Sequence, residues 1–130
     1  MAADLHRLAI TAMAKTHSPY SGFPVGAAIL TEDGRTYTGC NIENASYPEG
    51  WCAETTAISH MIMDGGGVIA EIAVVASKHP AITPCGGCRQ RLAEFGKPAT
   101  LVHLCNMDGV METVTLGELL PKAFAMEDEK

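Results

Sequence analysis

Three cysteines in two separated segments constrain this chain more than any other feature. Cys85 and Cys88 form a Cys-Gly-Gly-Cys pair directly after Pro84, and Cys52 lies far upstream, two residues before Glu54. Two intervening residues let both sulfurs of such a pair face one ion, at about 2.3 Å per Zn–S bond. The fold must therefore bring two distant segments together if Cys52 is to be a third ligand.

A single Cys-x-x-Cys pair leaves three interpretations open: a redox dithiol, half of a structural zinc site, or a catalytic zinc site. A structural site needs a fourth protein ligand, for which His60 is the best candidate, although about 12 Å of helical rise separate it from Cys52. Three ligands with an open position for water are the catalytic pattern, and Glu54 is placed to act on that water as general acid and base. The other cysteines, Cys40 and Cys105, are expected to be small buried hydrophobic residues.

Charge and composition exclude several classes of protein. The net charge is −6 and the nine Lys and Arg residues are scattered, which argues against a nucleic-acid partner. No apolar run approaches the roughly 18 residues needed to span a bilayer, and Asp4, His6 and Arg7 interrupt any signal peptide. The odd number of cysteines argues against a disulfide framework. We therefore expect one domain over residues 1–130, cytoplasmic, with a small-molecule substrate, no nucleic acid and no membrane.

The hydropathy pattern predicts helices that alternate with strands. Helices are predicted over 4–15, 52–63, from Pro84 to about Phe95, and 115–120. Strands are predicted over 25–31, 35–40, 69–77, 100–105 and 110–114. This alternation implies a layered α/β fold, and the opening hairpin makes its sheet mixed. The polar loop over 41–51 is long for a connector and is expected to carry function.

Ordered motifs along nearly the whole chain resemble those of one family. They are P-Y-S-G-F-P-V-G-A-A at 19–28, G-C-N-I-E-N-A-S-Y-P at 39–48, C-A-E-T-T-A at 52–57, P-C-G-G-C-R-Q at 84–90 and E-L-L-P-K-A-F at 118–124. The chain resembles the short, three-cysteine, zinc-dependent cytidine deaminases that form homotetramers. The resemblance implies a three-layer α/β/α sandwich with a mixed five-stranded sheet, and one Zn²⁺ per subunit held by Cys52, Cys85 and Cys88. It also implies hydrolysis of free cytidine and deoxycytidine to the uracil nucleosides and ammonia, in pyrimidine salvage.

The resemblance assigns substrate contacts to individual residues. Asn41 and Glu43 match a pair that bonds the 3′-hydroxyl side of the ribose, and an amide with a carboxylate suits a sugar diol. Phe23 matches an aromatic residue beside the pyrimidine ring. Tyr47 and Phe124 resemble residues contributed across subunit boundaries, so that a monomer has an incomplete pocket.

Three further groups are implied by the same resemblance. Glu54 is the catalytic proton shuttle and bonds the ring N3, the backbone N–H of Ala53 holds the O2 carbonyl, and the backbone carbonyl of Thr83 receives the departing ammonia. Together with the three cysteines, these residues form the expected active site.

Thr55 departs from the family pattern. Zinc with three thiolates carries one net negative charge, which opposes acidification of a bound water. Family members commonly place an arginine directly after the catalytic Glu, whereas Thr55 is neutral. Arg89, directly after Cys88, is expected to compensate, and a Thr55→Arg change is expected to leave activity intact or raise it.

Two alternative functions stay open on the sequence. One is a related deaminase of a cytosine-containing antibiotic such as blasticidin S, against which the Asn41–Glu43 pair favours a ribonucleoside. The other is a non-catalytic zinc-binding protein, which predicts four protein ligands.

Overall fold

The computed structural model describes residues 2–126, so both ends of the predicted domain, residue 1 and residues 127–130, lie outside it. The helices are α1 (Ala2–Met13), α2 (Ala53–Met63), α3 (Gly86–Phe95) and α4 (Leu116–Leu119), with a 3₁₀ turn at Tyr47–Glu49. The strands are β1 (Val25–Thr31), β2 (Thr36–Cys40), β3 (Ile69–Ala76), β4 (Leu101–Asn106) and β5 (Gly109–Thr115). No helix in the described range has both the length and the apolar character needed to cross a membrane.

The five strands form one mixed sheet in the order β2-β1-β3-β4-β5. Strands β3 and β4 are parallel, with Val74 opposite Leu104, and the other neighbouring pairs are antiparallel. The crossover from β3 to β4 carries α3, as a parallel connection requires. The mixed five-stranded sheet expected from the sequence is therefore confirmed.

Alternating side chains divide the core into two layers. On β1, Ala28 and Leu30 join the cluster built on α1, whereas Ala27 and Ile29 join the cluster built on α2 and Leu92 of α3. Successive side chains of a strand point to opposite faces of the sheet, so β1 contributes to the core on both faces. Each large aliphatic side chain buried in this way contributes about 1.5–3 kcal/mol. The result is the expected α/β/α sandwich, with α2 and α3 side by side on one face.

Gly39 of β2 lets α2 approach the sheet closely. A Cβ at this position would collide with the backbone of α2, at the nitrogen of Ala57 and the oxygen of Ala53. Because the clash is with backbone, no side-chain rotation relieves it. The glycine therefore fixes the position of the first turn of α2, which carries Glu54.

The helix starts differ slightly from the prediction. Cys52 and Cys85 are the N-cap residues of α2 and α3, so each helix begins one residue after a cysteine, and α3 begins later than the expected start at Pro84. Thr115 caps α4 as expected, since its side chain accepts a hydrogen bond from the Glu118 N–H at 3.2 Å and the Glu118 carboxylate accepts one from the Thr115 N–H at 2.9 Å.

Candidate active site

The sulfurs of Cys52, Cys85 and Cys88 converge. All three lie within 4.8 Å of one another, and the Cys52 and Cys85 sulfurs are 3.8 Å apart. Two sulfurs bound to one tetrahedral zinc, at about 2.3 Å each, lie about 3.8 Å apart. The spacing of these donors therefore fits a single zinc ion.

Two helix N-termini meet at this cluster. Cys52 and Cys85 have extended backbone dihedral angles, and neither side chain makes a capping hydrogen bond. Cys88 lies in the first turn of α3 and is fully buried. The positive ends of both helix dipoles thus face the sulfurs, which stabilises thiolates over thiols.

The Cys88 thiol holds its proton more firmly than a free cysteine does. Its pKa is raised, first by the hydrogen bond that it shares with the Cys52 thiol and then by burial. Neighbouring thiols resist losing all their protons unless positive charge replaces those protons, and a divalent metal supplies it. His60, the candidate fourth ligand, is not part of this group: its Nδ1 lies 2.7 Å from the carbonyl oxygen of Thr38.

Glu54 lies beside the sulfur cluster and is buried, with 3 % of its surface exposed. Burial raises the pKa of its carboxyl, against the smaller opposing effects of its own backbone N–H, a hydrogen bond with Cys88 and the charge of Arg91. A carboxyl with a raised pKa holds a proton more readily near neutral pH, as a proton-transfer group must. It projects from the helix that Gly39 positions.

A cavity of about 520 Å³ opens beside these groups, a volume typical of small-molecule sites. Glu54, Cys52 and Cys85 line it. So do five of the seven residues expected to contact substrate, namely Asn41, Glu43, Tyr47, Ala53 and Thr83. The other two, Phe23 and Phe124, do not line it: Phe23 is half-buried, and the exposed Phe124 lines a second cavity.

The Asn41 side chain is largely engaged within the chain. Its Oδ1 accepts hydrogen bonds from the Val25 N–H at 3.0 Å and from the Thr16 hydroxyl, and its Nδ2 donates to the Phe23 carbonyl at 2.8 Å. A side-chain amide has two acceptor sites and two N–H groups. One Nδ2 hydrogen therefore remains for a substrate hydroxyl.

Glu43 holds the neighbouring loop. Its Oε1 accepts the Tyr20 N–H at 2.9 Å and the Ser21 N–H at 3.1 Å, and its Oε2 accepts the Ser21 hydroxyl. The pKa of Glu43 is lowered, most of all by the Ser21 hydroxyl. The sequence prediction missed this positioning role, because it depends on a loop more than 20 residues away in the chain.

The cavity also has apolar walls, of which only Tyr47 was expected from the sequence. Trp51 lines it, is half-exposed, and donates from Nε1 to the Thr56 hydroxyl at 3.0 Å. Ile42 and Ile82 line it as well, and the rings of Tyr20 and Tyr47 are 5.9 Å apart. The sequence did indicate part of these walls, because Ile42, Tyr47 and Trp51 belong to the loop over 41–51 that was expected to carry function.

The charge compensation expected from Arg89 is not found. Arg89 donates to two backbone carbonyls, those of Pro84 at 2.8 Å and Leu119 at 3.0 Å. The arginine that reaches a sulfur of the cluster is Arg91, whose Nη1 is 3.7 Å from Cys88 Sγ. The hydroxyl of Thr55 is buried and has no hydrogen-bond partner within residues 2–126.

The α/β/α fold, the three-thiol cluster and the buried carboxylate define a zinc-dependent hydrolase with a small-molecule cavity. Residues 2–104 match the family model of the cytidine and deoxycytidylate deaminase zinc-binding region. The chain belongs to this family.

Curated relatives and solved structures support the same family membership. The chain is 47 % identical to a cytidine deaminase of Sporosarcina psychrophila over 114 residues, covering 88 % of this chain and 84 % of that protein. It is 46 % identical to a cytidine deaminase of Halalkalibacterium halodurans, covering 92 % of this chain and 91 % of the relative. Its structure is similar to that of a cytidine deaminase from Burkholderia pseudomallei, with a TM-score of 0.88 and 46 % identity over 93 % of this chain and 97 % of the other.

Proposed function

We propose that the protein hydrolyses free cytidine and deoxycytidine to uridine and deoxyuridine, releasing ammonia, as a step of pyrimidine salvage. The observation that carries this proposal is the placement of Glu54 and three converging sulfurs at one cavity. The curated relatives are named cytidine deaminases, which supports the same substrate class. A non-catalytic zinc site is disfavoured because His60 is not part of the sulfur group.

Cys52, Cys85 and Cys88 would hold one zinc ion per subunit, and zinc, when bound, supplies a Lewis acid that makes water a nucleophile at neutral pH. Glu54 takes a proton from the attacking water and delivers it to N3 of the cytosine ring, which makes C4 electrophilic. The water oxygen adds to C4, and the same carboxylate takes the remaining proton of this new hydroxyl group and delivers it to the 4-amino group. The bond from C4 to the amino nitrogen then breaks, ammonia leaves, and the C4 carbonyl of the uracil ring forms. Its burial suits this work, because a proton transferred inside a cavity is not exchanged with bulk water.

Substrate binding would use the remaining polar groups of the cavity. The Ala53 N–H, in the first turn of α2, bonds the O2 carbonyl, and the Thr83 carbonyl receives the ammonia. The free hydrogen of Asn41 Nδ2 and an unused lone pair of Glu43 bond the 3′-hydroxyl side of the ribose. Phe23 does not line the cavity in this structure, and its carbonyl accepts a hydrogen bond from Asn41 Nδ2; its packing beside the pyrimidine stays a prediction from the family resemblance.

We propose further that the protein is a homotetramer whose subunits share their sites. Tyr47 at the cavity is 75 % exposed and Phe124 is 73 % exposed, so both rings are available for contact with a neighbouring subunit. In an assembly, Phe124 would complete the pocket of a neighbouring subunit, and Tyr47, which lines the cavity of its own chain, would also reach that of a neighbour. Light scattering on the purified protein tests this: a monomer at micromolar concentration contradicts it.

We also assign the whole of residues 1–130 to one domain that works in the cytoplasm. All five cysteines are free, and the three at the site must stay reduced to bind metal. A single cooperative unfolding transition and recovery of activity in the cytoplasmic fraction are the expected results.

The central test is an absorbance assay for uridine formation with Glu54→Gln and a matched control, Glu112→Gln. Glu112 is exposed on β5, outside the cavity. Glu54→Gln should lose about 100-fold or more in kcat while keeping its zinc, because it removes the proton-transfer group and leaves the sulfurs intact. Glu112→Gln should behave as the wild type. Unchanged turnover in Glu54→Gln contradicts the proposed mechanism.

Substrate choice is tested by comparing kcat/KM for cytidine, deoxycytidine, a cytosine-containing antibiotic and a single-stranded oligonucleotide. The two nucleosides should be turned over, and the oligonucleotide should not, given the net charge of −6. A preference for the antibiotic contradicts the proposed substrate class.

A further inference from the structure

The sulfur cluster creates a charge problem that the mechanism leaves unsolved. Three thiolates and one Zn²⁺ leave one net negative charge, and the carboxyl of Glu54 lies in the same buried region. Excess negative charge near a metal weakens its action as a Lewis acid. Thr55, next to Glu54 on α2, supplies no charge, and its hydroxyl has no partner in the described range.

One cationic side chain does reach a ligand sulfur. Nη1 of Arg91 lies 3.7 Å from Cys88 Sγ, a distance that suits an N–H···S hydrogen bond. Arg91 lies one turn after Cys88 on α3, so that the two side chains share a helix face. Arg89 cannot play this part in the same conformation, because its guanidinium is bonded to the carbonyls of Pro84 and Leu119.

The absence of a side chain at Gly87 leaves room for the guanidinium of Arg91. A Cβ at Gly87 would lie 3.3 Å from Arg91 Nη1, a tight contact that moves the guanidinium by a few tenths of an ångström, and 3.7 Å from its Cζ, an ordinary contact. A Cβ at Gly86, in contrast, would meet open space. The second glycine of the Cys-Gly-Gly-Cys segment therefore matters for Arg91 as well as for the turn.

We propose that Arg91 is a positioning residue that supplies the positive charge opposite the zinc-binding thiolates, through its hydrogen bond to Cys88. The bond draws electron density from the Cys88 sulfur and so strengthens the metal as a Lewis acid. Arg91 does not line the cavity, and it therefore acts through Cys88 and not on the substrate. This inference rests on the proposed deaminase function.

The test uses the Co²⁺-substituted holoenzyme, whose sulfur-to-metal charge-transfer absorption reports the electron density on the ligand sulfurs. Arg91→Met should move this band to longer wavelength, because an electron-rich thiolate gives up an electron more easily. Arg91→Lys, which keeps the charge, should recover most of the shift. Arg7→Met, at an exposed arginine of α1 paired with Asp4, should leave the band unchanged.

Kinetics of the zinc enzyme give a second readout. Arg91→Met should lower kcat by about tenfold to a hundredfold, as loss of an outer partner of a metal ligand typically does, while KM changes little. Gly87→Ala should show a smaller loss of kcat, and Gly86→Ala none. Circular dichroism checks folding, and Arg91→Gln replaces Arg91→Met if that variant does not fold.

The outcomes distinguish a failure of the proposed deaminase function from a failure of the role proposed for Arg91. If the wild type fails to deaminate cytidine, the proposed function is wrong, while the cobalt spectra still decide the role of Arg91. If the wild type is active and Arg91→Met matches it in band position and kcat, the role of Arg91 is wrong. The same conclusion follows if Arg91→Lys recovers neither quantity.

Discussion

The carboxylate of Glu43 binds Ser21 twice, through the backbone N–H at 3.1 Å and through the side-chain hydroxyl. Together with the bond to the Tyr20 N–H, these contacts tie a cavity-wall loop to the segment after β2. A residue identified from the sequence as a sugar ligand is thus also a structural tether. Its substitution should affect stability as well as substrate affinity.

The first prediction concerns Glu43→Gln and pH. The pKa of Glu43 is lowered in the folded protein, first by the Ser21 hydroxyl, so its stabilising effect is present above the ordinary Glu value of 4.5 and is lost as pH falls through the lower folded pKa. Urea unfolding at neutral pH should show Glu43→Gln less stable than the wild type. The difference in unfolding free energy between the two proteins should shrink as pH falls below 4.5. A difference that does not change with pH contradicts the stabilising role of the Glu43 carboxylate.

The second prediction compares neighbouring threonines. Thr55 has a buried hydroxyl without a partner in residues 2–126, whereas the Thr56 hydroxyl donates to the Cys40 carbonyl at 2.9 Å and accepts from Trp51. Thr55→Val should therefore be neutral or stabilising by about 1 kcal/mol, and Thr56→Val destabilising by about 1–3 kcal/mol. Denaturant unfolding measures both, and the reverse order would refute the hydrogen-bond assignment.

The third prediction concerns the close approach of β2 and α2. Gly39→Ala should destabilise the protein by about 3 kcal/mol or more, because the added methyl group meets backbone atoms of α2. Activity should fall as well, since the same helix carries Glu54. Gly86→Ala, in open space, is the matched control and should unfold as the wild type does.

The fourth prediction separates ligand cysteines from buried ones. Cys88→Ser should lose bound zinc and activity, because Cys88 belongs to the converging sulfur group. Cys105→Ala removes an equally buried sulfur from β4 and should keep zinc at one ion per chain, with a modest loss of stability. Metal analysis after gel filtration distinguishes them, and chelation of the wild type should reproduce the Cys88→Ser result.

The fold was predictable where the local pattern is strong. Strand 25–31 matches β1, because an apolar run between turn residues has few other interpretations. The Cys85–Cys88 pair was a candidate metal site from its spacing, whereas the inclusion of Cys52 rested on Glu54 and on the resemblance to the deaminase family. The start of α3 was misplaced because Pro84 can begin a helix, whereas here it is buried ahead of the N-cap Cys85.

Other site features depend on contacts that local patterns do not contain. The hydrogen bonds of Asn41 with Thr16, Val25 and Phe23 require two loops to meet, which no local rule encodes. Arg91 is an intermediate case. The sequence shows Arg91 three residues after Cys88 in a predicted helix, a spacing that places both side chains on one face. Arg89 was expected instead because it directly follows Cys88 in the sequence.

The metal ligands precede two different helices, and this has a consequence for how the protein matures. Cys52 caps α2 and Cys85 caps α3, with the whole of β3 between them. A nascent chain that has not yet emerged past residue 88 cannot assemble the trio, so metal uptake must follow synthesis of most of the sheet. A chain truncated before Cys88 is therefore expected to lack both zinc and activity, whereas β4 and β5 are still to be made when the third ligand has emerged.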